Sequence, residues 1–228
     1  MKKVVVLSGA GISAESGIKT FRDSGGLWEG YDIAEVATPE GWASNQELVL
    51  EFYNMRRKDA LKAEPNSGHL ALKELESQYD VTIVTQNVDN LHEKAGSSKV
   101  LHLHGELFKS RSTSDQNLVY TIEGWELKTG DLCTKGSQLR PHIVWFGEAV
   151  PMLEKAIEKI LQADILIVVG TSLQVYPAAG LIDYAKEEAA KYIIDPNMPY
   201  VSPRENLYLF PEVASSGLKK VVDELLKK

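Results

Sequence analysis

Four short runs constrain this chain most: Lys3–Leu7, Val81–Thr85, Ile165–Val169 and Tyr192–Ile194 are β-branched and apolar at consecutive rather than alternate positions. A strand apolar on both sides must be covered on both sides, which happens in parallel sheets packed between helices. Val100–Leu103 and Leu207–Phe210 are weaker runs of the same kind. Between them lie helical patterns at Glu47–Leu61, Gly68–Gln78, Leu153–Leu161, Pro177–Ala190 and Gly217–Leu226. Strands alternating with helices predict an α/β fold with a parallel sheet and crossover connections.

Two stretches break the rhythm. Residues 30–65 hold one long helical pattern and no strand, and residues 106–140 are polar and poor in periodicity. The expected organisation is a sheet domain over 1–29, 66–105 and 141–228, with 30–65 and 106–140 packed together as a small module of helices and loops. Lys plus Arg number 25 and Asp plus Glu 32, a net charge of −7, which argues against a broad basic face for nucleic acid. The single cysteine, Cys133, can form neither an internal disulfide nor a four-cysteine zinc site. The opening Met1–Leu7 meets Ser8-Gly9 too early for a signal peptide, and Ile165–Val169 is too short to span a bilayer. A cytoplasmic, monomeric protein with no membrane or nucleic-acid partner is expected.

After the first run comes Gly9-Ala10-Gly11-Ile12-Ser13-Ala14, a G-x-G-x-x-A turn following a strand. Gly9 would permit a tight turn, Gly11 a close approach to a pyrophosphate and Ala14 close packing of the next segment. A plain strand-to-helix turn reads the same way. The acidic residue expected ~20 positions on is not cleanly present. The chain instead runs Gly17 to Trp28 through Gly25-Gly26 and two aromatics, a pattern that looks like a lid.

Four further strings carry a resemblance. They are Thr85-Gln86-Asn87-Val88-Asp89-Asn90-Leu91-His92, His102-Leu103-His104-Gly105-Glu106, Leu139-Arg140-Pro141-His142-Ile143-Val144-Trp145-Phe146-Gly147-Glu148, and Gly170-Thr171-Ser172-Leu173-Gln174-Val175-Tyr176-Pro177-Ala178-Ala179. With the Gly9 turn and Gly17–Asp23 they closely resemble the sirtuins, the NAD-dependent protein-lysine deacylases, in order from Val4 to Ala214. The resemblance implies a Rossmann-like sheet with a small inserted module, NAD consumed as co-substrate, and acylated lysines of proteins or peptides as substrates. It implies that the acyl oxygen attacks the nicotinamide ribose and nicotinamide leaves, that a ribose hydroxyl then attacks the imidate, and that water completes transfer, leaving free lysine and O-acyl-ADP-ribose.

By the same resemblance His104 would be the general base, Asn87 would orient the nicotinamide ribose and a water, and Asp89 would receive the nicotinamide amide. A histidine near its ordinary pKa suits that role. Gly9, Ala10, Gly11, Ser13, Phe21, Arg22, Gln86, Gly170, Thr171, Ser172, Asp195 and Ala214 would complete the cofactor site. Asp195 stands where the family commonly has an amide, keeping an acceptor and losing a donor. Phe146, Gly147 and Glu148 on one strip, with Val175 and Tyr176 on another, would pair with the substrate backbone, and Val144 and Phe146 would wall the lysine channel. The Phe21–Trp28 loop would close over the nicotinamide end. A sensor that binds NAD without turnover and an ADP-ribosyltransferase are the alternative readings.

Other residues have plainer readings. His102 shares a strand face with His104, but no third ligand lies at zinc spacing, so no metal is expected and His102 reads as structural. His69, His92 and His142 read as partly buried, hydrogen-bonded side chains. Where the family usually carries two cysteine pairs, Glu106–Leu139 offers only Cys133. A zinc-free module packed by Leu118, Tyr120, Ile122 and Trp125 is expected. Tyr53 and Arg56, three apart, share a helix face. By the resemblance this pair marks sirtuins that take succinyl and malonyl groups, whereas Arg57 and Lys58 read as solvated cations.

Overall fold

The computed structural model describes residues 1–20 and 30–227. The first apolar run forms β1 (Lys3–Ser8), buried from Val4 onward. Then follow α1 (Gly11–Ala14), α2 (Ile33–Val36), α3 (Pro39–Ser44), α4 (Gln46–Lys62), α5 (Ser67–Leu75), β2 (Asp80–Thr85), α6 (Leu91–Lys94) and β3 (Val100–His102). The chain continues through β4 (Gly105–Ser112), β5 (Val119–Thr121), β6 (Leu139–Ile143), α7 (Leu153–Leu161) and β7 (Ile165–Val169). A 3-10 segment (Ala178–Tyr184), β8 (Ala190–Ile194), β9 (Leu207–Phe210) and α8 (Ala214–Leu226) complete it.

The main sheet has the order β3-β2-β1-β7-β8-β9, with every pairing parallel. Its strands divide by parity. Val4, Val6, Ile83, Ile165, Ile167 and Ile194 pack under α5 and α8, while Val5, Leu7, Val84, Leu166, Val168 and Ile193 pack under α7 and the 3-10 segment. That two-residue period is why the runs are continuously apolar. Strand order reverses between β1 and β7, so the crevice beyond their carboxyl ends is where such a sheet receives a ligand. Asn66 caps α5 through its Oδ1, which accepts from Gly68 N, and donates to Ile12 O, tying that helix to the first turn.

A third core joins the two rhythm-breaking segments. Val36, Trp42, Phe52 and Tyr53 from the helices pack with Leu107, Ile122, Leu127, Cys133 and Trp145. Residues 106–140 were expected to be loops. They instead contribute most of an antiparallel sheet, β5-β4-β6. The buried residues Ser110, Arg111 and Ser112 sit inside β4, so the strand carries no apolar alternation to read. Leu118 and Tyr120 flank this core and Ile122 enters it, whereas Trp125 lies under the Lys58 ammonium, 3.6 Å from its ring centroid.

Arg57 corrects a second expectation. It is fully buried, donating from Nε to Trp125 O at 2.7 Å and from Nη1 to Leu107 O at 3.1 Å, with Nη2 on Asn54 Oδ1. Asn54 in turn exchanges two hydrogen bonds with the Leu127 backbone. These bonds, not solvent, account for two polar residues in the middle of α4. The expected helix over Pro177–Ala190 shrinks to the 3-10 segment, and among the described residues no helix is long and apolar enough to cross a membrane.

Candidate functional site

The floor of the crevice is an interlock between two loops. Gly9 N donates to Val169 O and Gly11 N to Gly170 O at 2.9 Å. A Cβ on Gly11 would lie 2.7 Å from Gly170 Cα, and one on Gly9 2.7 Å from Gly170 O. The glycines of the first turn therefore serve strand-loop packing, and a pyrophosphate is not needed to explain them. Ala10 is half-buried at the head of α1, whereas Ala14 is exposed.

The carboxyl end of β2 supplies the polar wall. Asn87 Nδ2 donates to Ser13 Oγ at 3.1 Å, and Ser13 donates to Asp89 Oδ2 at 3.0 Å. Asp89 Oδ1 also accepts from Leu91 N, two residues on, in the turn that leads into α6. Burial raises the Asp89 carboxyl above the usual range, against these hydrogen bonds. From behind, Ser8 donates to Thr85 Oγ1, which also accepts from Asn87 N, while His92 Nε2 stands 3.0 Å from Ser8 Oγ. Among the described residues the buried Asn87 Oδ1 meets no hydrogen-bond donor. An orphaned acceptor in a crevice suits a ligand hydroxyl or a water.

Gln86 bridges to the opposite loop, donating from Nε2 to Thr171 Oγ1 at 3.1 Å. Leu173 N donates to the same oxygen, so Thr171 keeps only its proton to offer. Ser172 is half-buried beside it. Asp195 follows β8 on the same edge, with Oδ1 accepting from Asn197 N at 2.8 Å and its carboxyl raised by burial. Ala214 is buried at the head of α8 among Leu218 and its core neighbours. Phe21 and Arg22, and the expected lid from Phe21 to Trp28, lie outside the described residues.

His104 stands between β3 and β4. Its Nδ1 is 3.1 Å from Gln86 O, and a carbonyl only accepts, so Nδ1 carries the proton and Nε2 the lone pair. Burial holds its pKa below the ordinary value, keeping the ring neutral at physiological pH. Gly105 fixes this position: its φ is +87°, and a Cβ there would lie 2.0 Å from His142 O. His69 and His92 are fully buried rather than partly so, with rings 5.0 Å apart, and burial pushes His69 to about 4.

Val144 adjoins His104, its N donating to His104 O, and Phe146 N donates to Ala37 O. Phe146, Val175 and Tyr176 are exposed apolar side chains, and Gly147 is exposed with φ +88°. Glu148 is held through its side chain. Its carboxylate accepts from Arg111 Nη2, from both Arg140 terminal nitrogens and from Trp145 N, at 2.7–3.1 Å. That side chain is committed to structure and leaves only its backbone for a peptide. Arg111 and Arg140 were missed in the sequence. Leu-Arg-Pro-His held one of them in plain view, and Arg140 also lies 3.3 Å over the Trp145 ring. Trp145 Nε1 donates to the buried Tyr53 hydroxyl at 3.0 Å. Desolvation keeps that phenol protonated, so it retains a proton to donate. Arg56 is half-buried, its guanidinium 4.6 Å from the Phe52 ring centroid.

A doubly wound sheet whose switch-point crevice gathers Asn87, Asp89 and His104 belongs to the α/β proteins that bind nucleotides at strand ends. The sequence signature of the Sir2 family matches residues 9–177. An NAD-dependent protein deacylase of Helicobacter pylori (strain ATCC 700392 / 26695) is 55% identical over 227 residues, covering 100% of this chain and 99% of the relative. A Sir2 homologue mutant in complex with ADP-ribose superposes with a TM-score of 0.91 at 40% identity, covering 99% of this chain and 92% of that one. A Sir2 homologue–NAD complex gives 0.88 at 40% identity, with 99% and 90% coverage. The chain belongs to the Sir2 family.

Proposed function

We propose that this chain is an NAD-dependent protein-lysine deacylase that removes succinyl and malonyl groups and also acetyl. The observation that carries the deacylase reading is His104, neutral and with an Nε2 that meets no partner among the described residues, beside the Asn87–Ser13–Asp89 network. The deacylase name of a 55% identical relative supports it, and the sensor reading leaves such a base without a task. When bound, NAD supplies the ribose carbon that takes the acyl oxygen and the hydroxyl that completes transfer. His104 Nε2 accepts the hydroxyl proton, Asn87 Oδ1 holds a hydroxyl or water, and the Phe146 and Val175 strips align the peptide.

Because His104 works as a base only when neutral, activity rises with pH through its depressed pKa and is complete at neutral pH. Mass spectrometry of acyl-lysine peptides incubated with NAD tests the reading. Deacylated peptide with O-acyl-ADP-ribose is expected; an ADP-ribosylated acceptor, or no product, overturns it.

The acyl preference rests on Tyr53 and Arg56. An acyl carboxylate entering a dry channel loses water and needs a fixed counter-charge, which a forked guanidinium supplies, and the Tyr53 proton adds a hydrogen bond. Arg56→Met should cost about 1.5–3 kcal/mol in kcat/KM on succinyl-lysine, ~10- to 100-fold, and spare acetyl-lysine. Equal losses on both peptides would make Arg56 structural. The module is also proposed to hold no zinc, since Cys133 is buried in its apolar core, its Sγ accepting from Ser137 N. Elemental analysis should return none; one tightly bound zinc per chain would refute this.

A further inference from the structure

The two histidines of His102-Leu103-His104 bond to consecutive carbonyls of the Asn87 loop. His104 Nδ1 lies 3.1 Å from Gln86 O and His102 Nδ1 lies 2.8 Å from Asn87 O. They differ at the other nitrogen. Among the described residues nothing meets His104 Nε2, whereas His102 Nε2 lies 2.8 Å from Glu93 Oε1. A carbonyl oxygen and an ionised carboxylate can only accept. A neutral imidazole has one N–H, so two such contacts need both nitrogens protonated.

We propose that His102 and Glu93 form a positioning dyad for the reaction, in which His102, as a doubly donating imidazolium charged by Glu93, pins the Asn87 carbonyl and with it the Asn87 side chain. This rests on the role given to Asn87 above. The His102 side chain is 8% exposed and that of Glu93 41%, so the contact is sheltered without being sealed. The charges facing it agree. Burial opposes the His102 proton, but the hydrogen bond and charge of Glu93 outweigh it, helped by the Asn87 carbonyl and by Glu106 from β4. Glu93 is correspondingly held below the usual carboxylate range, against burial, by His102 and by Lys109 from β4. Asp89 and His92 also feel the ring's positive charge, which opposes the burial that raises Asp89 and adds to the burial that lowers His92.

Deprotonation must break one contact. If Nδ1–H is kept, the Nε2 lone pair faces a carboxylate; if Nε2–H is kept, the Nδ1 lone pair faces Asn87 O. The clamp therefore holds below the raised His102 pKa and is lost as pH rises through it. His104 acts in the opposite sense, so kcat becomes bell-shaped, with its alkaline limb set by His102. The peptide strips do not touch the dyad, and KM for the acyl peptide stays flat along that limb.

The test pairs long-range ¹H–¹⁵N spectra of the histidines with kcat against pH, for the parent and Glu93→Gln. The substituted amide keeps an acceptor and removes the charge. At pH 7 the parent should show protons on both His102 nitrogens. Glu93→Gln should move the His102 titration and the alkaline limb of kcat together by ~1 pH unit, leaving kcat about tenfold lower on that limb and equal to the parent near pH 6. A neutral His102 at pH 7 in the parent, or a limb that stays put while the titration moves, overturns the dyad. If no acyl peptide is turned over at all, the function proposed above falls. The dyad is then judged by whether the Asn87 amide resonance follows the His102 titration; a resonance that ignores it refutes the clamp.

Discussion

His104→Ala is expected to lower deacylation by ~10²–10⁴-fold while NAD binds as before. The ring supplies the lone pair at Nε2, and its fixed tautomer comes from the Gln86 carbonyl. Alanine removes the base and leaves that carbonyl facing the crevice, where water replaces the donor. The other residues proposed to hold the nucleotide, in the Gly9 and Gly170 loops and at Asp195, lie on different strand ends. Binding by calorimetry and turnover by mass spectrometry check the two halves separately. Turnover near the parent rate would remove His104 from the mechanism; a matching loss of NAD affinity would make it a binding residue.

The largest expected effect on stability comes from Arg57→Met. Two opposing terms act. Burial disfavours the guanidinium enough to lower its pKa to about 10, so removing it recovers some desolvation. Methionine, however, leaves Trp125 O and Leu107 O without donors inside the module, each worth ~1–3 kcal/mol. The carbonyls belong to fixed backbone and cannot turn outward, so the second term wins, by roughly 2–4 kcal/mol. Arg57→Lys should recover little, because one ammonium cannot reach two carbonyls and Asn54 in the directions a guanidinium spans. Denaturant unfolding of the three proteins measures this; an unchanged midpoint for Arg57→Met would show that water fills the gap.

The parts of the fold that were legible are those where burial alone decides. Ile165–Val169 and Leu153–Leu161 appear with the bounds the sequence predicts, because their apolar pattern matches a single period; Leu207–Phe210 does so too, although Tyr208 and Leu209 are exposed on the sheet edge. The antiparallel sheet escaped for the opposite reason: Ser110, Arg111 and Ser112 are buried and polar, and nothing local says where their partners come from. Arg111 meets Glu148, 37 residues away. The same blindness made Arg57 a surface cation and hid the partners of the Glu148 side chain. At the site, residue types and strand-end placement could be read, as for Asn87, Asp89 and His104. What each glycine packs against could not, because Gly11 and Gly170 meet only in three dimensions.

On α4, Arg56 and Arg57 are chain neighbours, and successive helix residues point about 100° apart. Arg57 and Asn54 fasten the helix to the Trp125–Leu127 backbone, while Arg56 lies over Phe52 outside that set of bonds. The helix thus sets the residue proposed to read the acyl group beside one that fastens the module. A randomised library at position 56, with 54 and 57 held constant, would sample acyl-chain chemistry while keeping the Trp125–Leu127 fastening. The same library shifted by one residue would return mostly insoluble protein.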